Sequence, residues 1–220
     1  MSTFLEQKAT NEKCYDAVAN EYLAWTGPRP TPTRMGLIDD LLKDLPAKAE
    51  ILELGCGAGV PATQVLVSHE KAFVVTGNDI SAAQIALAKQ HVPGAKAFIQ
   101  GDMLTLDFPA GSLDAVLAFY SIFHLPKEEQ GEMIEKIYGW LKPGGWFLAN
   151  FHFDSGDVRR DEWIKPGATI FSSGLGVEGT RAVFKQEQLA GFKLIVDKVD
   201  TEVVGGFEEK FHWIMAKKDA

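Results

Sequence analysis

The sequence predicts an α/β fold, a doubly wound seven-stranded mixed sheet whose last strand runs antiparallel. Three observations carry this expectation. From residue 47 to 151 short apolar runs alternate with segments of helical period, the mark of a parallel sheet covered on both faces. The connections between them are short, as in consecutive strand–helix units. Beyond Phe151 the alternation stops, and two strand-like segments flank Gly205-Gly206 as in an antiparallel hairpin.

The elements follow in order. Residues 10–25 read as a helix, because Tyr15, Val18, Tyr22 and Trp25 recur on one face. The proline-rich segment 27–33 ends it. A second helix carries Leu37, Ile38, Leu41, Leu42 and Leu45 in one stripe and stops at Pro46. Ile51 to Leu54 is an apolar run closing on glycines, as a buried strand does. Pro61 suits the first turn of a helix running to about His69, because its missing N–H would be unpaired there anyway. Phe73 to Thr76 is a second strand. Ser81 with Gln84 is a capping box that starts the next helix, and Pro93-Gly94 ends it. Residues 97–100 and 113–119 are the third and fourth strands. Pro126 opens a helix with Met133, Ile137 and Leu141 inward, terminated by Lys142-Pro143-Gly144-Gly145. Trp146 to Phe151 is the fifth strand. Residues 152–180 are rich in glycine and charge and give no clear period. A helix is expected around 185–190, followed by strands over 194–204 and 210–216.

Composition narrows the function classes. The chain has 220 residues, 46% hydrophobic and 24% charged, which suits one globular domain. Its 22 basic against 30 acidic residues give a charge of -8, which argues against a broad nucleic-acid or anionic-membrane surface. Two cysteines, Cys14 and Cys56, exclude a disulfide framework and suit a cytoplasmic location. The first residues lack the apolar core of a secretory signal, and no apolar stretch approaches the roughly 20 residues of a membrane span.

The most informative segment is Glu53-Leu54-Gly55-Cys56-Gly57-Ala58-Gly59, between the first strand and its helix. Glycines let backbone approach a ligand with no Cβ in the way, and the free N–H groups of the following helix face the same spot. In a doubly wound sheet this is where cofactors bind, although a tight turn alone would also use glycines. Asp79, at the end of the second strand, is placed to accept hydrogen bonds from both hydroxyls of a ribose. Asp102, after the third strand, offers an acceptor to the exocyclic amine of an adenine, with Met103 against the ring; a turn cap is the alternative for Asp102.

The order ILELGCGAG, VTGNDIS, QGDM, SLDAVLAFYSIFHL and LKPGGWFLANF resembles the class I S-adenosylmethionine-dependent methyltransferases over about residues 12–151. YDAVANEYLAW resembles their small-molecule members, whose first helices close over the cofactor. The resemblance implies a Rossmann-like domain with an N-terminal helical lid (1–46), a cofactor-binding core (47–151) and a substrate cap with a C-terminal hairpin (152–220). It implies S-adenosylmethionine as cofactor and S-adenosylhomocysteine as product. Gly55, Gly57 and Gly59 would back the methionine part, and Glu53 would orient the loop or receive the amino group through water. Asp79 would hold the ribose, Ile80 would pack on the adenine, and Asp102 and Met103 would read its edge. Phe119 would line the methionine side, and Tyr15, Tyr22 or Arg34 would reach the carboxylate or shut the lid. A nicotinamide-dependent oxidoreductase competes, because residues 57–62 satisfy a permissive G-x-G-x-x-A pattern. Glu53, Pro61 and the later segments suit it less well. A non-catalytic cofactor-binding regulatory module is the other alternative.

Methyl transfer requires a nucleophile held in line at about 3 Å, with water excluded. An alcohol acceptor needs a base, whereas a thiol ionises with little help. His124 after the fourth strand and His152 after the fifth are the candidate bases; proximity without a base is the competing account. The histidines are too scattered for a metal site. The acceptor pocket is expected from the first helix and residues 152–180. Trp25, Tyr120, Phe123, Trp163 and Phe171 are available, with Phe119 and His152, and favour a small planar or apolar acceptor over a sugar or a protein tail, while the acidic chain disfavours nucleic-acid and membrane partners.

Overall fold

Two helices lead into a strand–helix alternation. The computed structural model describes residues 4–26, 32–204 and 207–220. Helices α1 (Phe4–Thr26) and α2 (Pro32–Asp44) precede β1 (Glu50–Leu54), α3 (Ala62–Val67), β2 (Val74–Asp79), α4 (Ala82–His91), β3 (Ala97–Gln100) and β4 (Leu113–Ala118). Then come α5 (Lys127–Trp140), β5 (Leu141–His152), β6 (Ser155–Arg160), β7 (Ile170–Leu175), α6 (Gly176–Phe184), β8 (Phe192–Val204) and β9 (Phe207–Lys218). Seven strands form one sheet in the order β3-β2-β1-β4-β5-β9-β8. β1 to β5 are parallel, and β9 runs antiparallel to both its neighbours. The chain moves outward from β1 to β3 and then returns to β4, so the strand order reverses between β1 and β4. Their carboxyl ends open a crevice there.

Alternation along the strands divides the core. Leu52, Leu54, Val116, Ala118 and Phe147 face α5, where Met133, Ile134 and Ile137 are fully buried. Ile51, Ala115, Leu117, Leu148 and Trp213 face α2, whose Leu37, Ile38, Leu41 and Leu42 make the expected stripe. A buried Leu is worth about 1.5–3 kcal/mol of transfer free energy, so these two layers hold the crevice in shape.

The structure departs from the sequence reading in several places. β2 continues past Thr76 to Asp79, which carries the carboxylate to the strand tip. Lys142-Pro143-Gly144-Gly145 lies inside β5, and the β4–β5 register shifts opposite it, between Leu113 and Ala115. The expected helix at 185–190 is only a 3-10 turn, Glu187–Leu189; the helix is α6, docked through Val183 and Phe184. The periodless stretch contains β6 and β7, a separate antiparallel pair. No residue of β6 is buried, so nothing imposes alternation on its sequence. β8 and β9 pair as the expected hairpin, while Gly205-Gly206 and most of the proline segment lie outside the described residues.

Candidate functional site

The crevice is built from the glycine loop. After β1 the backbone passes through Gly55 at φ +67° and Gly57 at φ +54°, the left-handed region that favours glycine. A Cβ on Gly55 would lie 2.3 Å from that of Ser121, so the turn after β4 closes directly onto the loop. Gly57 donates its N–H to Asp79 Oδ2 at 2.9 Å, and Ser81 donates its N–H to Asp79 Oδ1 at 2.9 Å. These bonds aim the Asp79 carboxylate into the crevice with lone pairs to spare. Burial pushes its pKa up to about 6, against the pull of the Ser81, Gly57 and Ile80 N–H donors. Glu53 is likewise pushed up to about 7 by burial, although the Thr63 hydroxyl donates to it at 2.5 Å.

Helix α1 crosses this crevice on polar contacts. Asp16 accepts from the Ser81 hydroxyl at 2.6 Å and from the Ala83 N–H at 3.0 Å, docking α1 on the first turn of α4. The Asn11 amide accepts from the Phe171 N–H at 2.8 Å and donates to its carbonyl at 3.0 Å, which ties α1 to β7. The buried Lys8 pairs with Asp102 at 2.7 Å and Glu129 at 2.5 Å.

Beneath α1 lie two adjoining chambers. A groove is lined by Lys8, Asp79, Ile80, Gln84, Asp102 and Met103. The second chamber is lined by Trp25, Arg34, Glu53, Phe123, His152, Arg160, Trp163 and Phe211. Tyr15, Tyr22, Gly55, Gly57, Phe119, Tyr120 and His124 line both. Two ligands seated in these chambers would therefore meet at the glycine loop. Several buried polar atoms around the groove have no partner among the described residues: both amide atoms of Gln84, Ser121 Oγ and Asn78 Oδ1. Each such atom costs about 1–3 kcal/mol unless a ligand or water satisfies it. This donor and acceptor set fits the hydroxyls and ring nitrogens of an adenosyl group.

The two candidate bases differ. His124 Nδ1 lies 2.8 Å from the Phe171 carbonyl, which can only accept, so Nδ1 carries the hydrogen. Nε2 then accepts from the Tyr15 hydroxyl at 2.9 Å. Burial drives the pKa of this ring down to about 4. Both nitrogens are engaged, Nδ1 with the Phe171 carbonyl and Nε2 with the Tyr15 hydroxyl. His152 has a buried Nε2 without a partner among the described residues.

Two other expected residues lie apart from the chambers. Gly59 lines neither chamber; a Cβ there would come within 2.9 Å of Val92 Cγ2, so it serves close packing on α4. Phe171 also lines neither chamber. Strand alternation turns Ile170 and Ser172 inward, and the Phe171 ring lies 5.2 Å from the Arg159 guanidinium. Asp102 is in the groove, but Lys8 holds its Oδ2, and its Oδ1 accepts the Leu104 N–H at 3.0 Å, so an adenine amine would have to share it. The capping box is half formed: Ser81 Oγ accepts the Gln84 N–H at 3.1 Å, but the Gln84 side chain points to the groove. Tyr120 sits at φ +51°, donates its hydroxyl to Glu202 at 2.6 Å and lies under Arg34 at 5.4 Å. Sequence reasoning missed Lys8, Gln84, Arg160, Glu209 and Phe211. A lysine on an otherwise unremarked turn of α1 was the one available signal for the first. Arg160 and Glu209 converge only through folding. Among the described residues no helix is long and apolar enough to cross a membrane.

Residues 51–145 match a family described as a methyltransferase domain. The chain is 28% identical over 161 residues to a sterol 24-C-methyltransferase of Gibberella zeae, covering 66% of this chain and 40% of that protein. It is 28% identical over 189 residues to an 18S rRNA guanine-N(7)-methyltransferase of Saccharomyces cerevisiae, covering 79% of this chain and 66% of that one. The crystal structure of a Burkholderia thailandensis 1,6-didemethyltoxoflavin-N1-methyltransferase, with its substrate and S-adenosylhomocysteine bound, superimposes with a TM-score of 0.67 at 16% identity. That match covers 100% of this chain and 92% of the other, and at this identity it is a likeness of fold.

Proposed function

We propose that the protein is an S-adenosylmethionine-dependent methyltransferase that methylates a small planar acceptor at an O, N or S atom, a reading supported by the match of residues 51–145 to a methyltransferase-domain family and by the likeness of fold to a methyltransferase with S-adenosylhomocysteine bound. The observation that carries the reading is the pair of chambers sharing one wall at Gly55 and Gly57. S-adenosylmethionine supplies a methyl group already activated on a sulfonium, so the protein's work is placement and exclusion of water. Asp79 receives the ribose hydroxyls, and Ile80 and Met103 flank the adenine. The amino-acid end passes the shared wall at Tyr22 and reaches Glu53 and Arg34 on the edge of the second chamber. Arg34 suits that place because its buried Nε lacks a partner among the described residues. Tyr15 and Phe119 stand at the junction, and α1 roofs both chambers. Trp25, Phe123, Trp163 and Phe211 make the acceptor chamber flat-walled and largely apolar, which favours an aromatic ring.

The yeast relative acts on rRNA, which raises an RNA acceptor as a second reading. The charge of -8 weighs against it, because phosphate contacts need basic surface. A cytoplasmic location belongs to the proposal and rests on two buried, unpaired cysteines. Calorimetry with S-adenosylhomocysteine and NADH tests the cofactor: only the former should bind. A screen of acceptor libraries for S-adenosylhomocysteine release, with mass spectrometry of the methylated product, tests the reaction. Cofactor binding without turnover on any acceptor would instead support a regulatory module.

A further inference from the structure

His152 ends β5 at the carboxyl edge of the sheet and lines the acceptor chamber but not the groove. Its ring is held in place. Phe123 lies 4.3 Å from it, and β7 passes so close that a Cβ on Gly174 would fall 2.8 Å from His152 Cβ. The charged and titratable groups facing it are Glu209 and Arg160, themselves paired at 3.2 Å, with Asp154 and the neutral His124. A fixed, buried imidazole nitrogen with no partner, in a chamber otherwise dominated by aromatic rings, calls for a ligand group that completes its hydrogen bonding.

We propose that His152 is a catalytic residue whose Nε2 accepts the hydrogen of a hydroxyl on an aromatic acceptor and takes that proton as the oxygen is methylated. The inference rests on the methyl-transfer reading above and deepens it. The acceptor's O–H bond breaks towards Nε2, whose lone pair becomes the new N–H bond. The oxygen keeps the released electron pair and forms its bond to the methyl carbon with it. The electrons of the broken carbon–sulfur bond stay on sulfur as a neutral thioether. The imidazolium faces the Glu209 carboxylate and returns its proton to solvent between turnovers. Burial holds the ring's pKa below its ordinary value, so it enters each turnover neutral. A hydroxyl is favoured over the alternatives because a neutral amine attacks with its own lone pair and a thiol ionises near neutral pH, whereas a phenol has a pKa of about 10 and needs a base.

Calorimetric titration of the S-adenosylhomocysteine-saturated protein with 4-nitrophenol and with nitrobenzene, at a pH of about 5.5 where the nitrophenol hydroxyl keeps its hydrogen, reads this contact without the natural acceptor. The two probes share a ring and differ by the hydroxyl. The unaltered protein is expected to bind 4-nitrophenol about 5- to 10-fold more tightly. In His152→Phe the two should bind alike, with S-adenosylhomocysteine affinity unchanged as the check on folding. His152→Gln, which restores an accepting oxygen, should recover part of the preference. A hydroxyl preference that survives in His152→Phe, or failure of 4-nitrophenol to bind the saturated protein, overturns the proposal and leaves the methyltransferase reading standing. Failure of S-adenosylhomocysteine to bind the unaltered protein overturns both.

Discussion

Asp79 holds the loop and, in the proposed reading, the ligand as well. Its two oxygens already accept N–H donors from Gly57 and Ser81, so it stays aimed at the crevice whether or not a ligand is present. Asp79→Ala should weaken S-adenosylhomocysteine binding by about 1–3 kcal/mol in calorimetry, because ribose hydroxyls would lose a charged acceptor. An unchanged dissociation constant would remove Asp79 from the site. With Glu53 it also sets a pH dependence. Both carboxyls have folded pKa values, about 6 and about 7, above the unfolded values of 3.8 and 4.5. The folded state therefore holds these protons more tightly. The associated stability is complete below about pH 4 and is lost as pH rises to about 7. The ligand-free protein should melt at a lower temperature at pH 8 than at pH 5. Glu53→Gln should flatten that slope, and an unaltered slope in this variant would show that other groups govern it.

At the scale of elements, α1 depends on polar contacts more than on an apolar stripe. Its expected aromatic face is present, but its buried residues include Lys8 and Asn11 beside Cys14, Val18 and Ala19. Such a helix is positioned by charge geometry and by backbone mimicry, as Asn11 pairs with the Phe171 peptide the way a neighbouring strand would. Lys8→Ala leaves Asp102 and Glu129 facing each other without their cation. We expect α1 to lose about 1.5–3 kcal/mol of its hold on the body, the range for hydrogen bonds to a charged group. Hydrogen exchange should report this as faster exchange across residues 4–26 with the strands unaffected. Equal protection of α1 in both proteins would mean that the pair contributes little. β6 and β7 show the same dependence on context: an exposed two-stranded ribbon acquires its role only where it delivers Arg160 and Ser172 to the chamber wall.

Across the whole molecule, the crevice between β1 and β4 gathers groups from α1, α2, α3, α4 and seven strands onto one cavity system. A ligand seated there bridges the sheet and its roof, so binding and folding are linked. At about 100 times its dissociation constant, S-adenosylhomocysteine should add about 2.7 kcal/mol of stability. For a chain of this size that corresponds to a rise in melting temperature of roughly 5–10 °C. A scan with and without the compound measures it, and no shift at saturating concentration would contradict the proposed cofactor.

The succession of strands and helices in the core, the two buried helix stripes, the glycine loop and the place of Asp79 near a strand end were legible because each depends on local chemistry. Periodicity of two or of about four residues, proline stops and glycine turns are written within a few neighbours along the chain. Only the tertiary structure decided which histidine keeps an open nitrogen. His124 is occupied by Phe171, 47 residues away, and by Tyr15, 109 residues away. No pattern along the sequence encodes such a pairing, because it arises where separate elements pack. For the same reason Gly59 comes close to Val92, Phe171 lies by Arg159, Lys8 pairs with Asp102, and Arg160 and Glu209 meet at the chamber wall.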